Sequence, residues 1–222
     1  RKLVAVSRQL VALGLNRGTA GNAGVRLGER LLVTPSGVPA DELSPEDMVI
    51  LDGQGRVLGA GRPSSEWRLH RDVLAARPEV HAVIHTHSPF ATSLACLGQD
   101  VPPFHYMIAV TGGNTLRCAP YALFGTQALS DQAVQALRGR KACLLANHGM
   151  LVLGIPFSEA ALSATIITRC VWPALPSPGR SSTRPSSSAL SGRLLLDLRN
   201  TSVSVPPLAG TLLAHDAPPP DS

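Results

Sequence analysis

The sequence predicts an α/β domain over residues 1–170, followed by an atypical tail over residues 171–222. Short apolar runs of strand length are mixed along the chain with amphipathic stretches of helix length. The apolar fraction of 44% and the charged fraction of 16% are typical of a globular domain with a substantial core. After residue 170 the composition changes abruptly, and this change marks the predicted boundary.

Periodicity and capping residues predict the individual elements in order. Helices are predicted over 2–13, from a serine cap at 64–65 to about 77, over 90–97, from a Ser130-Asp131 cap to 137, and from Ala160. Strands are predicted over 31–34, 48–51, 82–87, 142–146 and 150–153. The segment 16–24, rich in Gly and Asn, is predicted to be a loop.

The tail has the composition of a low-complexity extension. Residues 171–222 contain 9 of the 19 prolines and 10 serines, but no Tyr, Phe or Met. Such a segment buries too little apolar surface to offset the entropy of ordering it. We therefore predict that it is disordered.

Charge and apolar patterning argue against several classes of protein. The net charge is +5, but Lys and Arg are scattered and only four Phe and two Tyr are available for stacking on bases, so no nucleic-acid partner is expected. An anionic small molecule fits this charge at least as well. No apolar run has the length of a membrane span, no signal-peptide pattern opens the chain, and the four Cys form no C-x-x-C pair. A cytoplasmic protein with no membrane partner is the expectation.

Three histidines follow apolar strands and form a candidate metal site. His85 and His87 are separated by one residue at a strand end, so both side chains point to the same side. His148 also ends an apolar strand and is followed by Gly149. Three imidazoles suit zinc and leave a coordination position open for substrate. The remaining histidines are expected to be ordinary packed or surface residues: His70, His81, His105 and His215.

Two features of the sequence have more than one interpretation. Glu66 could be a first-turn acid that stabilises its helix, or it could bend into the histidine pocket as a ligand, a base or both. It shares a helix face with His70, four residues on. The Gly- and Asn-rich segment 16–24 could cradle a phosphate, although an ordinary turn is favoured by composition alone.

A series of short motifs, in order, resembles the class II aldolase/epimerase family, and within it the bacterial L-fuculose-1-phosphate aldolases. The motifs are GTAGN (18–22), TPSG (34–37), PSSEW (63–67), HTH (85–87), HYMIA (105–109), GGN (112–114), CAPYALFGT (118–126) and NHG (147–149). The resemblance extends over about residues 3–163, most of the chain. Motifs this numerous, in this order, are specific at the level of the family.

The resemblance implies a three-layer α/β/α fold with a mixed, largely antiparallel central sheet, assembled as a homotetramer with sites at subunit interfaces. It implies one Zn²⁺ per subunit, held by His85, His87 and His148, with Glu66 as a further ligand and the acid–base group. The phosphate of a sugar substrate would lie among Asn22, Ser36, Gly37, Ser64 and Ser65. Phe124 would line the aldehyde pocket, and Tyr106 would take part in proton transfer in a neighbouring subunit's site.

The implied reaction, in carbohydrate metabolism, is zinc-dependent and reversible cleavage of a ketose 1-phosphate to dihydroxyacetone phosphate and an aldehyde. L-Fuculose 1-phosphate or a deoxyketose analogue is the expected substrate. Cleavage leaves negative charge on the triose half, which a metal stabilises. No imine-forming lysine is indicated, because Lys2 and Lys141 lie outside the motifs.

Three alternatives stay open. A sugar-phosphate 4-epimerase or a methylthioribulose-phosphate dehydratase would use the same histidines, although residues 105–109 and 118–126 favour the aldolase. Family members also continue past residue 163 into a segment with another catalytic tyrosine, whereas the only tyrosines here are Tyr106 and Tyr121. A C-terminally incomplete and catalytically impaired member, serving as a binding subunit, is the third alternative.

Overall fold

The computed structural model describes residues 1–103, 105–155, 160–161 and 163–165. Its four α-helices are α1 (Lys2–Ala12), α2 (Trp67–Ala76), α3 (Pro89–Ala95) and α4 (Gln127–Ala136). Its strands are β1 (Asn22–Leu27), β2 (Arg30–Val33), β3 (Val49–Leu51), β4 (Ala82–Thr86), β5 (Arg117–Ala119), β6 (Ala142–Leu145) and β7 (Gly149–Gly154). Two 3-10 helices lie over Pro45–Asp47 and Tyr106–Thr111.

The strands form one seven-stranded sheet in the order β3-β2-β1-β4-β7-β6-β5. Within the described residues every neighbouring pair is antiparallel except β5 and β6, which run parallel. The prediction of an α/β fold with a mixed, largely antiparallel sheet is therefore confirmed. Strands β4 and β7 lie at the centre of the sheet, where both faces are covered.

Two hydrophobic clusters lie on opposite faces of this sheet and produce three layers. Ile84 of β4 belongs to the cluster that includes Leu10 of α1 and Leu94 of α3. Val83, its neighbour in sequence, belongs to the cluster that includes residues of α2 and α4. Because successive side chains of a strand point to opposite faces, a central strand with helices on both sides is apolar throughout. All five residues of β4 are buried accordingly.

Two strands were not predicted from the sequence. Residues 22–24 fall in the predicted Gly- and Asn-rich loop, yet β1 begins at Asn22 and pairs with β2 on one side and β4 on the other. Two sets of ladder hydrogen bonds outweigh the poor strand propensity of Asn and Gly. Strand β5 is a three-residue edge strand, too short to give a periodic signal.

Two predicted caps were wrong. Helix α4 begins after Thr126, whose side chain accepts a hydrogen bond from Leu129 N at 3.3 Å. The predicted cap Ser130 instead lies one turn inside the helix, fully buried, and donates to Asp72 of α2. Helix α2 is preceded by Glu66 as its N-cap residue, in place of the predicted serine.

Several other predictions concern residues that lie partly or wholly outside the described part of the chain. The tail over residues 171–222 lies outside it, as do Cys170 and part of the segment predicted as a helix from Ala160. Cys96, Cys118 and Cys143 are unpaired, and Cys96 is exposed. Among the described residues, no helix combines the length and apolarity needed to cross a membrane. The cytoplasmic location stays a prediction.

The centre of β4 should control the stability of the domain. Ile84 is fully buried, so Ile84→Ala should lower the free energy of unfolding by about 2–5 kcal/mol through lost burial and a cavity. Urea denaturation followed by circular dichroism measures this change. Leu27→Ala, at a position of β1 that is 49% exposed, is the control and should change stability by less than ~0.5 kcal/mol. Equal effects of the two variants would contradict this account of the core.

Candidate metal centre

Three imidazoles and one carboxylate converge where β4 ends and β7 begins. The nearest ligand atoms of Glu66, His85, His87 and His148 all lie within 4.8 Å of one another. His85 Nε2 lies 2.7 Å from His87 Nε2 and 3.2 Å from His148 Nε2. The two carboxylate oxygens of Glu66 lie 3.3 Å from His85 Nε2 and His148 Nε2, respectively. The structure thus brings together all four residues predicted to hold the metal.

The pairing of β4 with β7 explains this convergence. Thr86 pairs with Met150 in antiparallel register, so the residues just before β7 lie beside the end of β4. His148 immediately precedes β7 and therefore meets the His-x-His pair. Gly149 makes this close approach possible, because a Cβ there would lie 2.4 Å from Thr86 O and 3.2 Å from the His85 ring.

Asn16 holds the backbone on both sides of the His-x-His pair. Its Oδ1 accepts a hydrogen bond from His87 N at 3.0 Å, and its Nδ2 lies 3.5 Å from His85 O. Asn16 is itself buried, and Gly21 leaves room for it, since a Cβ at Gly21 would lie 2.3 Å from its amide. Sequence reasoning missed this role, because nothing in the spacing of the segment 16–24 points to the histidines.

The donor set fits a divalent transition-metal ion. His85 Nδ1 donates to Met150 O at 3.1 Å, so His85 Nε2 carries a lone pair directed at the other imidazoles. Glu66 Oε1 is buried and makes no hydrogen bond to any described residue. Three ring nitrogens crowded together with an unsatisfied carboxylate oxygen are costly to bury, and a cation among them would satisfy all four groups. Three imidazoles with a carboxylate are ligands typical of zinc and related metals.

The protonation states also suit metal binding. Burial lowers the pKa of His85 to about 4, although the Glu66 carboxylate partly opposes this shift. Burial likewise lowers the pKa of His87. Burial alone would raise the pKa of Glu66, but His85, His148 and the Asn22 amide together hold that pKa below its ordinary value. At neutral pH these imidazoles are therefore neutral and the carboxylate is ionised, as ligands must be.

A cavity of about 390 Å³ opens beside the cluster. All six residues predicted to bind substrate line it: Asn22, Ser36, Gly37, Ser64, Ser65 and Phe124. Sequence reasoning did not predict Thr19, Tyr121 or Asn147, which line it as well. The described residues that line it include no Lys or Arg, so an anion in this cavity would meet neutral donors from this part of the chain.

Backbone amides of the residues that line the cavity differ in their availability. The N–H groups of Ser36 and Ser64 donate within the protein, to Arg62 O at 2.9 Å and to Thr34 O at 3.0 Å. Those of Gly37 and Ser65 make no hydrogen bond to any described residue. Two free amides flanked by serine hydroxyls are suited to bind phosphate oxygens.

The two predicted aromatic residues lie in different places. Phe124 lines the cavity on a loop that packs closely on Ser65, since a Cβ at Gly125 would lie 2.9 Å from Ser65 O. Tyr106 is 80% exposed, stacks on His105 and is not among the cavity residues. A role for Tyr106 in the site of a neighbouring subunit stays a prediction.

The fold and this cluster define an α/β protein with a candidate metal centre, and comparisons with known proteins identify its family. Residues 1–171 match the family model described as "Class II Aldolase and Adducin N-terminal domain". The chain therefore belongs to the class II aldolase family.

Individual relatives agree with this assignment. The chain is 57% identical over 152 residues (68% of this chain, 69% of the relative) to a 5-methylthioribulose-1-phosphate/5-deoxyribulose-1-phosphate aldolase of Rhodospirillum rubrum. It is 41% identical over 160 residues (72% and 74%) to the L-fuculose phosphate aldolase of Escherichia coli K12. A solved L-fuculose 1-phosphate aldolase superposes with a TM-score of 0.76 and 35% identity over 86% of this chain and 92% of that chain.

These comparisons confirm the predicted family and the prediction of an enzyme of the class II aldolase kind, a family of lyases. They support the narrower resemblance to L-fuculose-1-phosphate aldolases only in part, because the 57% identical relative has a different substrate in its name.

Buried neutral imidazoles should make the metal-free chain less stable as the pH falls. Burial lowers the pKa of His70 to about 3 and that of His85 to about 4, from an ordinary value of 6.5. Between pH 7 and 5 the unfolded chain therefore binds more protons than the folded chain, and the free energy of unfolding decreases as the pH is lowered. We expect the Tm of the chelator-treated chain to fall by about 5–10 °C over this range.

Differential scanning calorimetry at several pH values measures this dependence. Carboxylates contribute little above pH 5, so this window isolates the imidazoles. His81→Gln, at an exposed position, is the control and should show the same slope as the unmodified chain. A Tm that does not change between pH 7 and 5 would contradict the assignment of neutral buried imidazoles.

Proposed function

We propose that the chain binds one zinc ion per subunit and reversibly cleaves a ketose 1-phosphate to dihydroxyacetone phosphate and an aldehyde. The observation that carries this proposal is that the cluster of His85, His87, His148 and Glu66 opens directly onto a polar cavity with free amides. A metal site and unbonded amides of residues that line the same cavity match the two features of the triose half that must be bound, its oxygens and its phosphate.

Zinc is the proposed metal because three imidazoles and a carboxylate suit it and leave room for substrate oxygens. When bound, it would act as a Lewis acid and stabilise the negative charge that develops on the triose half. His85, His87 and His148 would hold it, and Glu66 would enter or leave the ligand set as the reaction proceeds.

Glu66 is the proposed acid–base group. In the cleavage direction the bond between the third and fourth carbons breaks, its electrons stay on the third carbon, and the hydroxyl on the fourth carbon loses its proton to become the aldehyde. The third carbon then takes up a proton. Glu66 is ionised and held at Oε2 by Asn22, with Oε1 free of hydrogen bonds within the described chain, so it can carry a proton to or from that carbon.

The phosphate would be held by the hydroxyls of Ser36, Ser64 and Ser65 and by the free amides of Gly37 and Ser65. Binding by fixed neutral donors would orient the reacting carbons over the metal. Tyr106 is proposed to serve the site of a neighbouring copy in a homotetramer, because it is exposed and does not line the cavity of its own chain.

The aldehyde end of the cavity favours an apolar substituent. Tyr121, Ala122 and Phe124 line it together. A methylthio or methyl group can bury its surface against such residues. The relative from R. rubrum has such substrates in its name, so 5-methylthioribulose 1-phosphate and 5-deoxyribulose 1-phosphate are proposed as substrates beside L-fuculose 1-phosphate, which also ends in a methyl group.

Turnover with each of these three ketose 1-phosphates tests the proposal. Release of dihydroxyacetone phosphate, followed by its enzymatic reduction with NADH, should be detected with added zinc and abolished by a chelator. Glu66→Gln should lower kcat about 10²–10⁴-fold, because the amide cannot carry the proton. Glu29→Gln, the same change at an exposed turn, is the matched control and should keep full activity.

Product analysis by NMR decides between aldolase and the related reactions. An epimerised ketose phosphate or a dehydrated ketone as the sole product would overturn the aldolase proposal. Activity that persists after complete removal of metal would overturn the role assigned to zinc.

A further inference from the structure

His70 is a fully buried histidine that the proposed mechanism does not use. It lies on α2, one turn after Glu66, against the inner face of β1. Gly24 in the middle of β1 leaves the space for it, because a Cβ there would lie 2.8 Å from His70 Nδ1. A glycine inside a strand is unfavourable by itself, and here it accommodates an imidazole.

Two hydrogen bonds connect His70 to the candidate metal centre. His70 Nε2 lies 2.5 Å from Asn22 Oδ1, and Asn22 Nδ2 donates to Glu66 Oε2 at 2.9 Å. Because the Glu66 carboxylate can only accept, Asn22 must present its NH₂ group to it. Asn22 Oδ1 then needs a donor, which fixes the proton of the neutral His70 on Nε2.

We propose that His70 is a positioning residue that fixes the amide orientation of Asn22 and thereby the direction of the Glu66 carboxylate. This inference rests on the proposed metal site. This series of contacts begins at His70, which is buried between α2 and β1. It ends on the Glu66 carboxylate, whose Oε1 is free of hydrogen bonds within the described residues.

Loss of the His70 donor would have a defined consequence. Asn22 could then rotate its amide by half a turn, which would place Oδ1 against the Glu66 carboxylate and replace attraction by repulsion. Glu66 would lose the hydrogen bond that holds Oε2 and could turn away from the imidazoles. Outer-shell partners of metal ligands commonly have this effect, and their removal weakens metal binding about 10–100-fold.

Two substitutions of similar length separate the hydrogen bond from the packing. In His70→Gln the side-chain amide can still donate to Asn22 Oδ1, whereas in His70→Met it cannot. Zinc affinity, measured without substrate by competition with a chromophoric chelator, should fall at least ~10-fold in the Met variant and stay within ~3-fold in the Gln variant. With substrate, kcat should fall in the Met variant while KM changes little.

A double variant is the control for this comparison. Asn22→Ala removes the link between the two residues, so adding His70→Met to it should cause no further loss of zinc affinity. Thermal unfolding of every variant reports the contribution of packing separately. Equal losses in the Gln and Met variants, or unchanged zinc affinity in both, would overturn the proposal.

The proposed reaction and this inference can fail separately. If no ketose phosphate is cleaved but zinc affinity still differs between the Gln and Met variants as expected, then His70 positions Glu66 and the proposed reaction is wrong. If cleavage occurs but the two variants do not differ in zinc affinity, then the reaction holds and the role of His70 is wrong.

Discussion

The antiparallel pairing of β4 with β7 is the constraint on which the rest of this site depends. It places the end of one buried strand beside the start of another, so that the His-x-His pair meets His148 although the two are far apart in the sequence. Both strands are central and covered by helices on each side. The histidines are therefore fixed by the most rigid part of the domain, as metal ligands need to be.

Close approach around these strands depends on glycine and asparagine. Gly149 lets β7 touch the end of β4, Gly24 makes room for His70, and Gly21 makes room for Asn16. Asn16 occupies the space at Gly21 and accepts a hydrogen bond from the backbone of the His-x-His segment, while Asn22 donates to Glu66. Residues in segments that resemble ordinary turns in the sequence thus hold the backbone and side chains of the candidate metal centre in place. This arrangement gives the Gly- and Asn-rich segment 16–24 a structural role beside the candidate metal centre.

The strand ends and the types of metal ligand could be predicted from the sequence, but the contacts that hold those ligands in place could not. His85 and His87 are readable because a strand alternates with a period of two, and the ordered motifs indicated the family with its sheet. Strand β1 was missed because its stability comes from pairing on both sides, which is information from distant residues. His70 had one available signal, its spacing of four from Glu66, but the spacing alone could not show that Asn22 joins the two. Tyr106 is a different case, because the family resemblance assigns it to the site of a neighbouring subunit and a single chain contains no such contact.

We propose that Glu66, His85, His87 and His148 together hold one metal ion. Metal analysis of the zinc-loaded, gel-filtered chain tests it most directly, with His148→Ala as the variant and His81→Ala, at an exposed position, as its control. We expect about one zinc per chain in the unmodified protein and in the control, and loss of most of it in the His148→Ala variant. Zinc retained in full by the His148→Ala variant, or absent from the unmodified chain after loading, would contradict it.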